Sequence, residues 1–83
     1  MGRSATFAEW IDMGTLAAFQ KRVKSLNGEA GVCEYRFEPS NGDFWLFEAE
    51  NAEEILGAIL HVRSGRVYAI SEDVQRFVRD TFE

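Results

Sequence analysis

Cysteine and histidine are almost missing from this sequence, since each occurs once, as Cys33 and His61. A single thiol excludes an intramolecular disulfide, and the two residues are too few for a zinc site built from several thiolate or imidazole ligands. Long apolar runs are also missing, because none approaches the ~20 residues of a membrane-spanning helix. The N-terminus lacks the apolar core of a signal peptide. We therefore expect a cytoplasmic protein with no disulfide, metal, cofactor or membrane anchor.

Basic residues are outnumbered in this chain. There are 9 Lys and Arg against 14 Asp and Glu, and the formal net charge is −5. Direct binding to nucleic acid needs a positive surface for the phosphates, so this balance disfavours it. The length of 83 residues predicts one domain spanning 1–83. Aromatic residues make up 13% of the chain, which supplies enough bulky apolar surface for one modest core.

Motifs for catalysis and nucleotide binding are missing as well. His61 and Ser64 lie three positions apart, without a sequence context that would activate either of them. An acid–base pair or a hard-cation site could form only where Glu34, Glu48 and Glu50 meet on one strand face, and solvated acids are the simpler interpretation of that pattern. We expect a protein that is not an enzyme.

Two segments have the apolar spacing of amphipathic helices. The first covers residues 15–27, where apolar residues recur three or four positions apart and Gly28 can end the helix. The second follows Ser71, which can cap it, and begins with Glu72 and Asp73, whose charges suit a helix N-terminus. The apolar stripes of the two helices are Leu16, Phe19, Val23 and Leu26, and Val74, Phe77, Val78 and Phe82.

Residues 31–38 and 44–50 alternate in side-chain character and predict the two strands of a hairpin. A three-residue loop, residues 40–42, makes one face of the hairpin entirely apolar, and burial of that face favours this register. The register pairs Phe37 with Trp45, Tyr35 with Phe47 and Cys33 with Ala49, and it places Glu34 opposite Glu48. The outward face then carries Phe44 and Leu46 among acidic side chains.

Two further segments permit two interpretations each. Residues 52–63 are predicted as a helix capped by Asn51, with Glu54 completing a capping box, and residues 66–70 as a strand. The alternative is a hairpin in which residues 58–62 turn back through 63–66. Residues 5–13 are interpreted as a helix, with a strand as the alternative.

The predicted fold class is α+β, with a small antiparallel sheet of about three or four strands that about three helices cover on one face. If residues 5–13 form a strand, the element order is βαββαβα, which is compatible with a ferredoxin-like sheet followed by a C-terminal helix.

The distribution of charge is the strongest functional signal in the sequence. Between Phe37 and Val62 the chain carries six acidic residues and no Lys or Arg, so the other 8 acidic and 9 basic residues nearly cancel. On the outer face of the hairpin this charge would steer a basic partner toward exposed apolar side chains. Trp10 is a further candidate, because Trp is enriched in binding hot spots. The predicted interface consists of Trp10, Glu34, Phe44, Leu46, Glu48, Glu50, Glu53 and Glu54.

We therefore expect a non-enzymatic protein-binding domain whose acidic hairpin face binds a protein with a basic surface. An inhibitor that occupies the basic groove of a nucleic-acid-binding protein, as some phage anti-defence proteins do, fits this size and charge. Two alternatives stay open. One is a small regulatory or ligand-binding homodimer that buries Phe44 and Leu46 between protomers. The other is a small enzyme with an acidic cleft, which would lie around His61, Tyr68 or the group of Glu34, Glu48 and Glu50.

Overall fold

The computed structural model describes residues 9–29 and 33–82 of the chain. Within these residues the fold is α+β, with a five-stranded antiparallel sheet and two helices. The strand order across the sheet is β1-β5-β4-β3-β2. The elements are β1 (Ile11–Thr15), α1 (Leu16–Gly28), β2 (Glu34–Asn41), β3 (Phe44–Glu50), β4 (Ile55–Arg63), β5 (Arg66–Ala69) and α2 (Glu72–Phe82).

Both helices pack on the same face of the sheet, and the core lies between them and the strands. The helices contribute the buried side chains of Phe19, Val23 and Val78. The sheet contributes the buried side chains of Phe47, Leu60, Val67 and Ala69. Because successive strand residues point to opposite faces, every strand that enters this core also presents a second face, and neither helix packs on that face.

Both of these predicted helices are confirmed, and so is the predicted Ser71 cap of the second. The first helix ends at Gly28, but the predicted left-handed cap is wrong, because Gly28 has no positive φ, and Thr15 is the N-cap instead of the first helical residue. The Thr15 hydroxyl accepts a hydrogen bond from the Ala18 amide at 3.2 Å, which satisfies a free donor at the start of α1. The Ser71 hydroxyl accepts one from the Val74 amide at 3.2 Å and does the same for α2.

The β2–β3 hairpin keeps the predicted faces, but the predicted register is wrong by two residues. Phe37 lies opposite Phe47, and Pro39 lies opposite Trp45. The chain reverses through Gly42 and Asp43 alone, and the extra residue forms a bulge between Pro39 and Asn41. Gly42 has a φ of +59°, which suits the first central position of a tight hairpin turn. A shift of two residues leaves every side chain on its predicted face.

The predicted helix over residues 52–63 is wrong, and the alternative hairpin is confirmed. The capping signal of Asn51 is present, since its side-chain oxygen accepts hydrogen bonds from the amides of Glu53 and Glu54 at 2.8 and 2.9 Å. These bonds form a turn that leads into strand β4 instead of a helix. Pairing of residues 55–61 with β3 and of residues 60–63 with β5, together with the full burial of Leu60, decides the outcome.

The turn between β4 and β5 consists of Ser64 and Gly65, which have φ values of 53° and 75°. Two successive positive φ values are those of a type I′ turn, whose twist matches that of antiparallel strands.

The predicted helix over residues 5–13 is wrong where it can be compared, because β1 begins at Ile11 and pairs with β5. The first part of that segment, residues 5–8, lies outside the described residues. The element order is βαββββα, so the ferredoxin-like order βαββαβα and the third helix are not formed within the described residues. The strand alternative placed the segment in the sheet correctly, but it did not foresee that β1 would pair with β5 at one edge.

Candidate protein-binding surface

The face of the sheet opposite the helices is defined by strand alternation. We call it the open face. The pairing register places Phe44 next to His61 and His61 next to Tyr68, with Leu46 next to Ile59 one step along. The open face comprises Trp10, Asp12, Glu34, Arg36, Glu38, Phe44, Leu46, Glu48, Glu50, Ile55, Gly57, Ile59, His61, Arg63, Arg66 and Tyr68.

An aromatic cluster lies toward one end of this face. The ring of Trp10 stacks at 4.8 Å from the ring of His61 and 6.2 Å from that of Phe44. His61 lies 5.2 Å from Phe44 and 6.3 Å from Tyr68, centroid to centroid. Offset and tilted ring pairs at these distances are attractive. Trp10 and Phe44 nevertheless remain 40% and 39% exposed, so the cluster presents aromatic surface to solvent.

A shallow concavity of about 370 Å³ adjoins the aromatic cluster. It is lined by Trp10, His61, Arg63, Ser64 and Tyr68. The concavity could accept one side chain of a partner that lies on the open face.

The centre of the open face is aliphatic. Leu46 lies opposite Ile59, and Ile55 lies farther along the same strand as Ile59. Ile59 is 46% exposed and Ile55 is 59% exposed, while Leu46 is half-buried. The solvated face of an antiparallel sheet is normally polar, so this run of exposed apolar side chains departs from the usual alternation. Exposed apolar patches with polar rims mark interaction sites.

Acidic side chains collect at the end of the open face where β3 leads into β4. Glu50 lies directly opposite Glu34, and Glu53 and Glu54 follow in the connecting turn. We call Glu34, Glu50, Glu53 and Glu54 the acidic end. In the next row Arg36 forms an ion pair of 2.5 Å with Glu48, and this bond raises the pKa of the Arg36 guanidinium. Arg36 offsets the charge of Glu48 first and interacts more weakly with Glu38 and Glu50, whereas the acidic end itself contains no basic residue.

Arginine side chains collect at the other end of the open face. Arg63 lies directly opposite Arg66, and we call these two residues the basic end. Asp12 accepts hydrogen bonds from Nε and Nη2 of Arg66 at 2.7 and 3.1 Å. These bonds, with a further one from the Gly14 amide, lower the pKa of the Asp12 carboxyl. Arg63 has no ion-pair partner among the described residues.

The predicted interface residues fall into two groups. Six of them share the open face: Trp10, Glu34, Phe44, Leu46, Glu48 and Glu50. Glu53 and Glu54 lie in the turn at the edge of that face, and not in the first turn of a helix as predicted. The predicted opposition of Glu34 and Glu48 is wrong, since Arg36 takes the position facing Glu48. Whether these residues bind a partner stays a prediction.

The predicted interface lacks a large part of the open face, mainly because residues 52–63 were predicted as a helix. The residues that it lacks include Ile55, Ile59, His61, Arg63, Arg66 and Tyr68. Of these, His61 and Tyr68 are predicted only as candidates for the cleft of a small enzyme. A signal was present. Strand alternation from residue 55 to 63 separates Leu56, Ala58, Leu60 and Val62 from Ile55, Gly57, Ile59 and His61. Both sets are largely apolar, so the alternation carried no polar contrast that would have distinguished it from a buried helix.

In the described part of the chain, no three His, Cys, Asp or Glu side chains lie close enough together to hold a metal ion. Neither of the helices in residues 9–29 and 33–82 is long and apolar enough to cross a membrane. Comparison of the chain with protein-family models, curated proteins and solved structures finds no match.

Proposed function

We propose that this chain is a non-enzymatic protein-binding domain and that the open face is its binding surface. The observation that carries the proposal is the exposure of Trp10, Phe44, Ile55 and Ile59 on one continuous sheet face. Each of these side chains is about half exposed, so its complete burial would contribute roughly 1 kcal/mol or more. A partner that covers the face would bury several of them at once.

The aromatic cluster supports the same proposal. Trp and Tyr are enriched among the residues that dominate binding energies, and they do so from well-packed positions. Trp10 and Tyr68 are held in place by contacts with the ring of His61, so little side-chain freedom is lost when a partner binds them.

The charges of the surface indicate the chemistry of the partner. Glu34 and Glu50 form no ion pair with any described residue, and Glu53 and Glu54 add two further negative charges beside them. A partner that presents Lys or Arg beside apolar residues would therefore match the acidic end and the aliphatic centre together. Inhibition of a nucleic-acid-binding protein through its basic groove is one role that fits this chemistry.

Site-specific photo-crosslinking in the cytoplasm of the native host tests the proposal. A benzophenone amino acid replaces Phe44 in one variant and Arg76, on the exposed side of α2, in the control. We expect covalent adducts with protein at position 44 and far fewer at position 76. Adding Glu50→Lys to the first variant should reduce the adducts, because it removes charge from the acidic end. Equal adduct yields at positions 44 and 76 would contradict the proposal.

A further inference from the structure

Each end of the open face contains a cross-strand pair of like charges. Glu34 lies opposite Glu50 at the acidic end, and Arg63 lies opposite Arg66 at the basic end. Like charges directly opposite one another in a sheet are destabilising. Asp12 offsets the repulsion at Arg66, but Glu34, Glu50 and Arg63 form no ion pair with any residue that the structure describes.

The two ends are too far apart to neutralise each other within one molecule. Strand β4 runs from Ile55, beside Glu50, to Arg63, and its nine residues place these ends roughly 26 Å apart at about 3.3 Å per residue. The Debye length is about 8 Å at physiological ionic strength, so each end acts on its surroundings independently.

A second molecule of the chain can supply positive charge to the acidic end and negative charge to the basic end. In such a pair the two open faces are turned toward each other and related by a two-fold axis that lies between them. The axis is perpendicular to the line joining the acidic and basic ends, so the rotation exchanges the positions of those ends. The acidic end of each protomer then meets the basic end of the other, and both contacts form at once because the interface is isologous. Leu46 and Ile59 lie between the two ends, so they meet their own copies near the axis.

We infer that the open face binds a second copy of this chain in an antiparallel, two-fold symmetric dimer. The contacts are Glu34 and Glu50 of one protomer with Arg63 and Arg66 of the other, around a centre formed by Leu46 and Ile59. The inference rests on the proposed function of the open face as a binding surface, and it identifies one partner that has the basic and apolar chemistry that the surface requires.

The size of the open face limits the area that the dimer can bury. The five strands have 5, 8, 7, 9 and 4 residues. At about 3.3 Å per residue and about 4.8 Å between strands, they cover roughly 500 Å² per protomer, or about 1,000 Å² in total. This area is at the lower limit for specific interfaces. We therefore expect a reversible dimer that dissociates on dilution and in high salt, and not an obligate one.

Two charge reversals and their mixture test the arrangement by sedimentation velocity. The wild-type chain should dimerise with increasing concentration at low salt, while Glu50→Arg alone and Arg63→Glu alone should be largely monomeric. Glu50→Arg sets a positive charge against Arg63 of the other protomer, and Arg63→Glu sets a negative charge against Glu50 of the other protomer. In an equimolar mixture each reversed residue meets an opposite charge, so a heterodimer should form. The controls Asp80→Arg on α2 and Lys21→Glu on α1 make the same changes of charge on exposed helix positions, and they should dimerise like the wild type.

A third variant, Ile59→Glu, places a charge near the axis and should abolish dimerisation without affecting the core, because Ile59 is exposed. Circular dichroism of each variant confirms that a monomer is a folded monomer. A wild-type chain that stays monomeric at high concentration and low salt would overturn the inference, as would a mixture that does not associate or controls that dissociate like the open-face variants.

The crosslinking experiment at position 44 separates this inference from the proposed function. An adduct of twice the mass of the chain supports the dimer. Adducts with other proteins alone would overturn the dimer but leave the open face as a binding surface, and a lack of all adducts would contradict both.

Discussion

Leu60 and Ile59 are neighbours in β4 that point to opposite faces, and truncating each to alanine tests the fold and the open face together. Leu60 is fully buried between the sheet and the helices, whereas Ile59 is 46% exposed. Replacing a fully buried leucine by alanine costs about 2–5 kcal/mol, since burial is lost and a cavity remains. We take about 3 kcal/mol for Leu60→Ala.

The consequence for this domain is large, because a chain of 83 residues has a free energy of unfolding of about 4–12 kcal/mol at ~0.05–0.15 kcal/mol per residue. For domains of this size 1 kcal/mol shifts Tm by about 4–8 °C, so Leu60→Ala should lower Tm by about 12–24 °C. Ile59→Ala removes a side chain that is only half in contact with protein and should cost about 1 kcal/mol or less.

Urea and thermal unfolding at low protein concentration, where a dimer is dissociated, measures both variants. A helix over residues 52–63 would place Ile59 and Leu60 on the same apolar face, so it predicts similar losses for the two. Equal changes in the free energy of unfolding would therefore refute both the strand assignment of β4 and the exposure of the open face.

Three further outcomes are expected. Asp12→Asn should lower Tm at neutral pH, because it weakens the bond to Arg66. The folded-state pKa of Asp12 is lowered, so the stabilisation by its carboxylate is present above the pKa of the unfolded chain and is lost as pH falls through the folded-state pKa. The Tm values of wild type and variant should therefore converge in acid. Asn27→Ala removes side-chain hydrogen bonds of 2.7 and 2.9 Å to the backbone of Tyr35, and it should lower the free energy of unfolding by about 1–2 kcal/mol and accelerate amide exchange at Tyr35. Gly65→Ala places a Cβ at a φ of +75° and should cost about 1–2 kcal/mol in chemical unfolding.

Each of these expectations has an outcome that contradicts it. A Tm difference between wild type and Asp12→Asn that persists unchanged in strong acid would remove the role of the ionised carboxylate. Unchanged exchange at the Tyr35 amide would show that Asn27 does not hold the edge strand to α1. For the turn, Gly28→Ala is the matched control, because Gly28 has no positive φ and open space around its Cβ position. Equal losses at the two glycines would exclude backbone conformation as the cause.

The free edge of the sheet at β2 is partly covered by the end of α1. Both backbone groups of Tyr35 that point away from β3 bind the Asn27 side chain at the end of α1. An edge strand with free amides and carbonyls invites pairing with another chain. Because Asn27 occupies this position, strand addition at the start of β2 is disfavoured.

The hairpin of β2 and β3 was predictable as to its faces but not its register. The alternation of Tyr35 and Phe37 with acidic and basic neighbours determines which side chains point inward, and every register that keeps those faces differs by an even number of residues. The choice between them depended on whether Ser40 joined the loop or formed a bulge. That choice changed the residue facing Glu48 from an acid to Arg36, and with it the charge of the surface.

The sequence by itself determined the two amphipathic helices, the inward and outward faces of the hairpin and the acidic middle of the chain. Each of these depends on residues that are close together along the chain. Only the tertiary structure decided that residues 55–63 form a strand. Their apolar side chains suit a helix until β3 supplies strand partners for residues 55–61 and β5 for residues 60–63. The tertiary structure alone brought Trp10 against Phe44 and His61, and placed the arginines and glutamates at opposite ends of one face, because pairings between segments distant in sequence set those positions.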